Sequence, residues 1–146
     1  MSCMFRFSAK DFDVITYLNK SSLNPIEIFK KGDYQQTALE SWVTEFSGFC
    51  IAASEADFTD FKQQMLDTTA FIHANKQELL KLGQIPDRVS FFFDFGLTTT
   101  LFEEDIWVDS FAFPIEFMCL LCEIGANMKI SYYYPSSDEN ADTADE

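Results

Sequence analysis

The stretch "DRVSFFFDFG" (residues 87–96) alternates between two kinds of position. Val89, Phe91, Phe93 and Phe95 fall on one side of an extended chain, and Ser90, Phe92 and Asp94 on the other, the period-two signature of a strand with one buried face. "CMFRFSA" (3–9) alternates more loosely and reads as a second strand, and "NMKISYYY" (127–134) as a last one, ending at Pro135. Ile26 and Ile28 repeat at period two before a turn at Gly32 and Asp33. Residues 41–53, "SWVTEFSGFCIAA", hold one or two strands around Gly48.

Helical spacing appears in three places. "DFDVITYLNKS" (11–21) has apolar residues at 12, 14, 15 and 18 and predicts a short helix capped by Asp11. In residues 54–83, Phe58, Phe61, Met65, Thr68 and Ile72 follow the 3–4 spacing of a helix with one packed face. Ser54 and Asp57 resemble a capping box at its start, Gly83 marks its stop with Pro86 beyond, and a break is compatible with His73 to Asn75. "FPIEFMCLLCEIG" (113–125) puts Pro114 in a first helical turn and Gly125 at the close, and its broad apolar character predicts a mostly buried helix.

This order of elements predicts a single α+β domain over residues 1–135. It is a two-layer sandwich: an antiparallel or mixed sheet with two to three helices packed on one face. Each half holds helix and strand, which is compatible with a ferredoxin-like duplication, although no repeat is visible residue by residue. The segment 136–146, "SSDENADTADE", has five acids, no base and no large apolar residue, and is expected to be a disordered tail.

Composition sharpens the picture in three respects. Nearly half of the 146 residues are apolar and 17 are Phe, enough to build one sizeable core. No apolar run approaches the roughly 20 residues of a spanning helix, and "MSCMFRFSAKDF" does not read as a signal peptide, so a cytoplasmic location is expected. The formal net charge is −14, and it is unevenly spread: residues 94–146 carry twelve acids against one base, Lys129. Such a field repels nucleic-acid and lipid phosphates, so neither direct nucleic-acid nor membrane binding is expected. A basic protein is the complementary partner.

Catalytic constellations are missing. The single histidine, His73, lies in the long helical segment without companions and reads as a surface or partly packed residue. "GLTTT" lacks the spacing and lysine of a phosphate loop. The four cysteines, Cys3, Cys50, Cys119 and Cys122, are expected to be reduced thiols; Cys119 and Cys122 form a CxxC inside an apolar run with no second metal-spaced pair and are expected to be buried and inert. No cofactor and no enzymatic activity are expected.

Attention therefore falls on "LFEEDIWVDSF" (101–111). As a strand it would place Glu103, Asp105, Trp107 and Asp109 on one face and Glu104, Ile106 and Val108 on the other. One tryptophan ringed by acids is suited to a basic partner, because the aromatic supplies desolvated contact and the carboxylates supply steering. With Asp94 from the preceding strand, Glu103, Glu104, Asp105, Trp107 and Asp109 form the candidate partner-binding set. The plainer reading of the same stretch is an edge strand with a wet acidic face.

The line "DFDVITYLNKSSLNPIEIFKKGD", with Trp42 in "ESWV", the segment "IPDRVSFFFDFG" and the ending "EIGANMKISYYYP", resembles the bacterial family known as domain of unknown function 4279. The likeness spans residues 5–135 and implies a cytoplasmic α+β domain. Some members look like immunity proteins of toxin systems. The leading expectation is accordingly an acidic immunity protein that neutralises a basic, nuclease-like toxin by occupying its cleft. The alternatives are an anti-defence protein of a phage that mimics nucleic acid, and a structural or small-molecule-binding module that homodimerises. A monomer or a weak homodimer fits these readings.

Overall fold

A computed structural model of the chain describes residues 1–98 and 110–133. In chain order its elements are β1 (Cys3–Ala9), α1 (Val14–Leu18), β2 (Glu27–Phe29), β3 (Tyr34–Gln36), β4 (Ser41–Val43), β5 (Ser47–Ser54), α2 (Phe61–Gly83), β6 (Arg88–Thr98), α3 (Ile115–Ile124) and β7 (Asn127–Tyr133). Five strands form one mixed sheet in the order β2-β5-β1-β6-β7, and β3 pairs with β4 in a separate hairpin.

The α+β expectation holds, and the connectivity resolves it further. β1, α1, β2, β5, α2 and β6 run in the β-α-β-β-α-β order of a ferredoxin-like fold, with β1 antiparallel to both β5 and β6. The hairpin β3–β4 is inserted between β2 and β5. The helix α3 and strand β7 are appended at the end, β7 lying parallel to β6 as a crossover helix requires.

The alternation in β1 and β6 sets the layers. Cys3, Phe5 and Phe7 of β1 and Phe93, Phe95 and Leu97 of β6 are fully buried on one face of the sheet, joined by Phe49, Ile51 and Ala53 of β5. All three helices deliver their buried side chains to that face: Val14 from α1; Phe61, Met65, Ile72, Leu79 and Leu82 from α2; Phe117, Leu121 and Ile124 from α3. Phe5 lies at the centre, with ring centroids 5.0 Å from Phe93, 5.7 Å from Phe91 and 6.3 Å from Phe49.

Several local expectations are corrected. The N-cap of α1 is Asp13, whose side chain accepts hydrogen bonds from the Thr16 amide (3.1 Å) and hydroxyl (2.7 Å); Asp11 lies outside the helix and meets Lys31 instead. The helix α2 starts after Asp60, which accepts from the Gln63 amide at 3.0 Å. Ser54 still belongs to β5, and its hydroxyl donates to Asp67 at 2.7 Å. α2 runs unbroken through His73 to Asn75. α3 is not mostly buried: only Phe117, Leu121 and Ile124 are, while Ile115, Met118, Cys119 and Cys122 face outward. An apolar sequence raises the probability of burial but cannot supply a second surface to cover the far side of a helix.

Glu78 ties α1 to α2. The hydroxyls of Tyr17 (2.8 Å) and Ser21 (3.2 Å) donate to one carboxylate oxygen, and Lys81 (2.7 Å) donates to the other. These bonds, Lys81 foremost, hold the Glu78 carboxyl below its usual range. A carboxylate depressed in the folded state contributes stability above its unfolded pKa and loses it as pH falls through the folded value. Glu78→Gln should therefore differ most in denaturation midpoint from the parent at about pH 6 and converge with it toward about pH 3.

Gly48 of β5 sits opposite Ser8 of β1 and Phe29 of β2. A Cβ there would strike the Phe7 carbonyl oxygen and come within 2.7 Å of Ser8 Cβ and 2.8 Å of the Phe29 ring. Gly48→Ala is expected to cost about 3 kcal/mol, the upper end of overpacking penalties, read from denaturant unfolding with unchanged slope.

Candidate functional site

The second face of the sheet is built from the intervening residues. Arg6 pairs in register with Cys50 on one side and Phe92 on the other, and Cys50 pairs with Glu27. This places Glu27, Cys50, Arg6 and Phe92 in one row across four strands. Among the described residues no helix covers them. The partial cover is Phe29, which is buried over Gly48, together with Phe46 and the hairpin. Phe29 and Phe46 meet edge to face with centroids 6.3 Å apart, and the Arg6 guanidinium lies 4.9 Å from the centre of the Phe29 ring.

The hairpin is fastened at its base and free at its tip. The amide of Gly32, at φ 92°, donates to the Thr44 carbonyl, and the Thr44 amide donates to the Asp33 carbonyl, both at 2.8 Å. The Asp33 carboxylate accepts from the Lys30 amide at 2.7 Å and closes the turn. Cross-strand pairing sets the two faces of the hairpin: Gln35 lies opposite Trp42, and Tyr34 opposite Val43. Gln35 and Trp42 line a cavity of about 420 Å³ between the hairpin and the sheet, whose floor includes Arg6 and Phe29. Val43 also lines it, Tyr34 does not, and Leu39 at the tip is 94% exposed.

Tyr34, Leu39, Trp42 and Val43 are all exposed on one short insertion. Scattered apolar residues on a surface are ordinary, but a contiguous group marks an interaction site. Glu40 and Glu45 stand exposed beside them, with the half-buried Asp33 at the turn.

Of the expected partner-binding residues, Glu103, Glu104, Asp105, Trp107 and Asp109 lie outside the described residues, as does the acidic segment 136–146. Asp94 is on the open face of β6, but its carboxylate is engaged. Its Oδ1 accepts from the Ser131 hydroxyl at 2.7 Å, and its Oδ2 pairs with Lys129 at 3.3 Å. Lys129, the one base among residues 94–146, is thus paired with Asp94.

His73 is exposed on α2, and no cluster of three metal-ligating side chains occurs among the described residues. No described helix is long and apolar enough to cross a membrane. The CxxC is corrected: Cys119 and Cys122 are exposed one turn apart on α3, whereas Cys3 and Cys50 are buried. Burial pushes the Cys3 thiol up to about 12. It also pushes Cys50 up to about 11, despite the opposing pull of the Arg6 charge nearby.

Sequence reasoning passed over Arg6, Tyr34, Leu39 and Val43, and noticed Trp42 only as a point of family resemblance. The available signal for Arg6 was a charge at the outward position of a strand otherwise flanked by Phe5 and Phe7. No family model, curated protein or solved structure matches the chain.

Two thiols per chain should react promptly with Ellman's reagent under native conditions, and all four after denaturation. Cys119→Ser with Cys122→Ser should remove the prompt fraction entirely.

Proposed function

We propose that this chain is an acidic binding protein that engages a basic protein, in the manner of an immunity protein that neutralises a nuclease-like toxin, and that the β3–β4 hairpin supplies the docking surface. The observation that carries this reading is the hairpin itself. It presents Tyr34, Leu39 and Val43 to solvent on a chain of net charge −14. Ordinary folding does not reward a three-residue strand pair held away from the core with aliphatic and aromatic groups outward. A partner that covers them does.

The energetics divide between the two kinds of group. Burial of Tyr34 and Val43 provides desolvated contact near the centre, where binding energy concentrates. The exposed Glu40 and Glu45, and the acidic field of the whole chain, accelerate encounter with a basic surface and set orientation. The CxxC, His73 and Asp94 have no part in it. The expected acid–aromatic logic is retained, with the hairpin in place of residues 103–109 as the described surface that fits it.

The test is affinity capture from the native cell at low salt, elution at high salt, and titration of the recovered basic protein against variants. Tyr34→Ala with Val43→Ala should weaken binding by at least about 30-fold, at roughly 1 kcal/mol or more for each anchor. Glu40→Gln with Glu45→Gln should mainly slow association and flatten its salt dependence. If the hairpin variants bind normally and Asp105→Asn, Trp107→Ala, Asp109→Asn does not, the docking surface belongs to residues 101–111. If no basic protein is retained, the binding reading itself fails.

A further inference from the structure

The inner face of the hairpin and the open face of the sheet enclose a cavity with the wrong composition for a passive gap. Its volume, about 420 Å³, is in the range of small-molecule sites, roughly 300–1,000 Å³. Its floor holds a cation. Arg6 is half-buried on a central strand, and among the described residues no carboxylate lies within 4 Å of its guanidinium. A guanidinium withdrawn from water is normally matched by an anion. Here only the Phe29 ring is in place beneath it, which orients the planar fork and leaves its N–H groups without a carboxylate.

The Gln35 amide lines the same cavity and adds a donor. Arginine and glutamine together offer donors suited to a planar oxyanion. Trp42, Val43 and Phe46 form the apolar part of the lining. Glu27 and Glu45 also line the cavity and are exposed, so a second negative charge on a ligand would be opposed.

We propose that the cavity beneath the β3–β4 hairpin binds a small aromatic carboxylate, a singly charged planar anion, with Arg6 holding the carboxylate and Trp42 and Phe46 enclosing the ring. The Gln35 side-chain amide donates the supporting hydrogen bond. Val43 lines the cavity and also belongs to the proposed docking surface, so the two are told apart by Arg6, which lines the cavity, and Tyr34, which does not.

Benzoate is the probe, with benzamide and benzylammonium as neutral and cationic controls. Binding to the full chain carrying Trp107→Phe is followed by Trp42 fluorescence and by calorimetry. Benzoate should bind saturably and alter the fluorescence of Trp42. Benzamide should bind at least about tenfold more weakly, reflecting one charge-assisted hydrogen-bonding pair. Arg6→Gln should lose at least about tenfold in benzoate affinity, and Arg6→Lys should recover part of it. Trp42→Leu, on an exposed strand remote from the core, should weaken benzoate binding without altering the thermal midpoint and serves if Arg6→Gln does not fold. Tyr34→Ala, outside the lining of the cavity, should leave benzoate binding intact. Absence of benzoate binding, preference for benzylammonium, or unchanged benzoate affinity in folded Arg6→Gln and Trp42→Leu would overturn the assignment.

Discussion

Everything in this protein depends on the packing of phenylalanines from three adjacent strands onto one face of the sheet. Phe5 and Phe7 of β1, Phe49 of β5, and Phe91, Phe93 and Phe95 of β6 form a continuous aromatic layer, most of them in tilted or edge-to-face contact. Edge-to-face rings interlock only at particular separations, so register errors are costly: a slip of one residue would turn the layer toward solvent. The helices then have one apolar surface on which to lay Phe61, Ile72, Leu79, Phe117 and Leu121. The central place of β1, paired on both sides, follows from the same constraint.

Committing one face to the helices leaves the other to a different chemistry. Among the described residues no helix lies on that second face, and its cover comes from β2, Phe46 and the hairpin. Gly48 lets the Phe29 ring lie flat against the sheet, and Phe29 in turn receives the Arg6 guanidinium. Gly96 makes a parallel accommodation nearby. A Cβ at that position would press on Phe58 and Tyr133, whose rings meet at 5.2 Å. Among the described residues, the side of the molecule with the less regular architecture therefore carries Arg6 without a carboxylate partner, the Thr44 hydroxyl without a hydrogen-bond partner and the exposed aromatics of the hairpin. Stability and recognition are separated by the plane of the sheet.

The acidity of the chain acts at two ranges. Locally, acids are used up in structure: Asp13 and Asp60 cap helices, Glu78 joins α1 to α2, and Asp94 pairs with Lys129. Globally, the remaining excess gives a field that favours basic macromolecules and slows self-association. A carboxylate site within such a field needs a cation close at hand, and beneath the hairpin Arg6 is that cation.

The strands β1 and β6, the long helix α2 and the close of α3 at Gly125 were legible in the linear pattern, because period two, period 3.6 and a left-handed glycine are local properties of neighbouring residues. The α+β class followed from their order. The cap positions were misplaced by a few residues, since Asp11, Asp13, Asp57 and Asp60 are chemically equivalent candidates and only the backbone path selects among them. The exposure of Cys119 and Cys122 was illegible for a deeper reason. Whether an apolar helix is covered on both sides depends on what else the chain has left to cover it. The pairing of Asp94 with Lys129 joins strands brought side by side by a parallel crossover. The cavity joins residue 6 to residues 35, 42 and 44. What the sequence determined by itself was the periodicity of each element and the sign of the overall field. What only the tertiary structure decided was which polar groups meet, because side chains distant along the chain become neighbours only after the sheet has chosen its strand order.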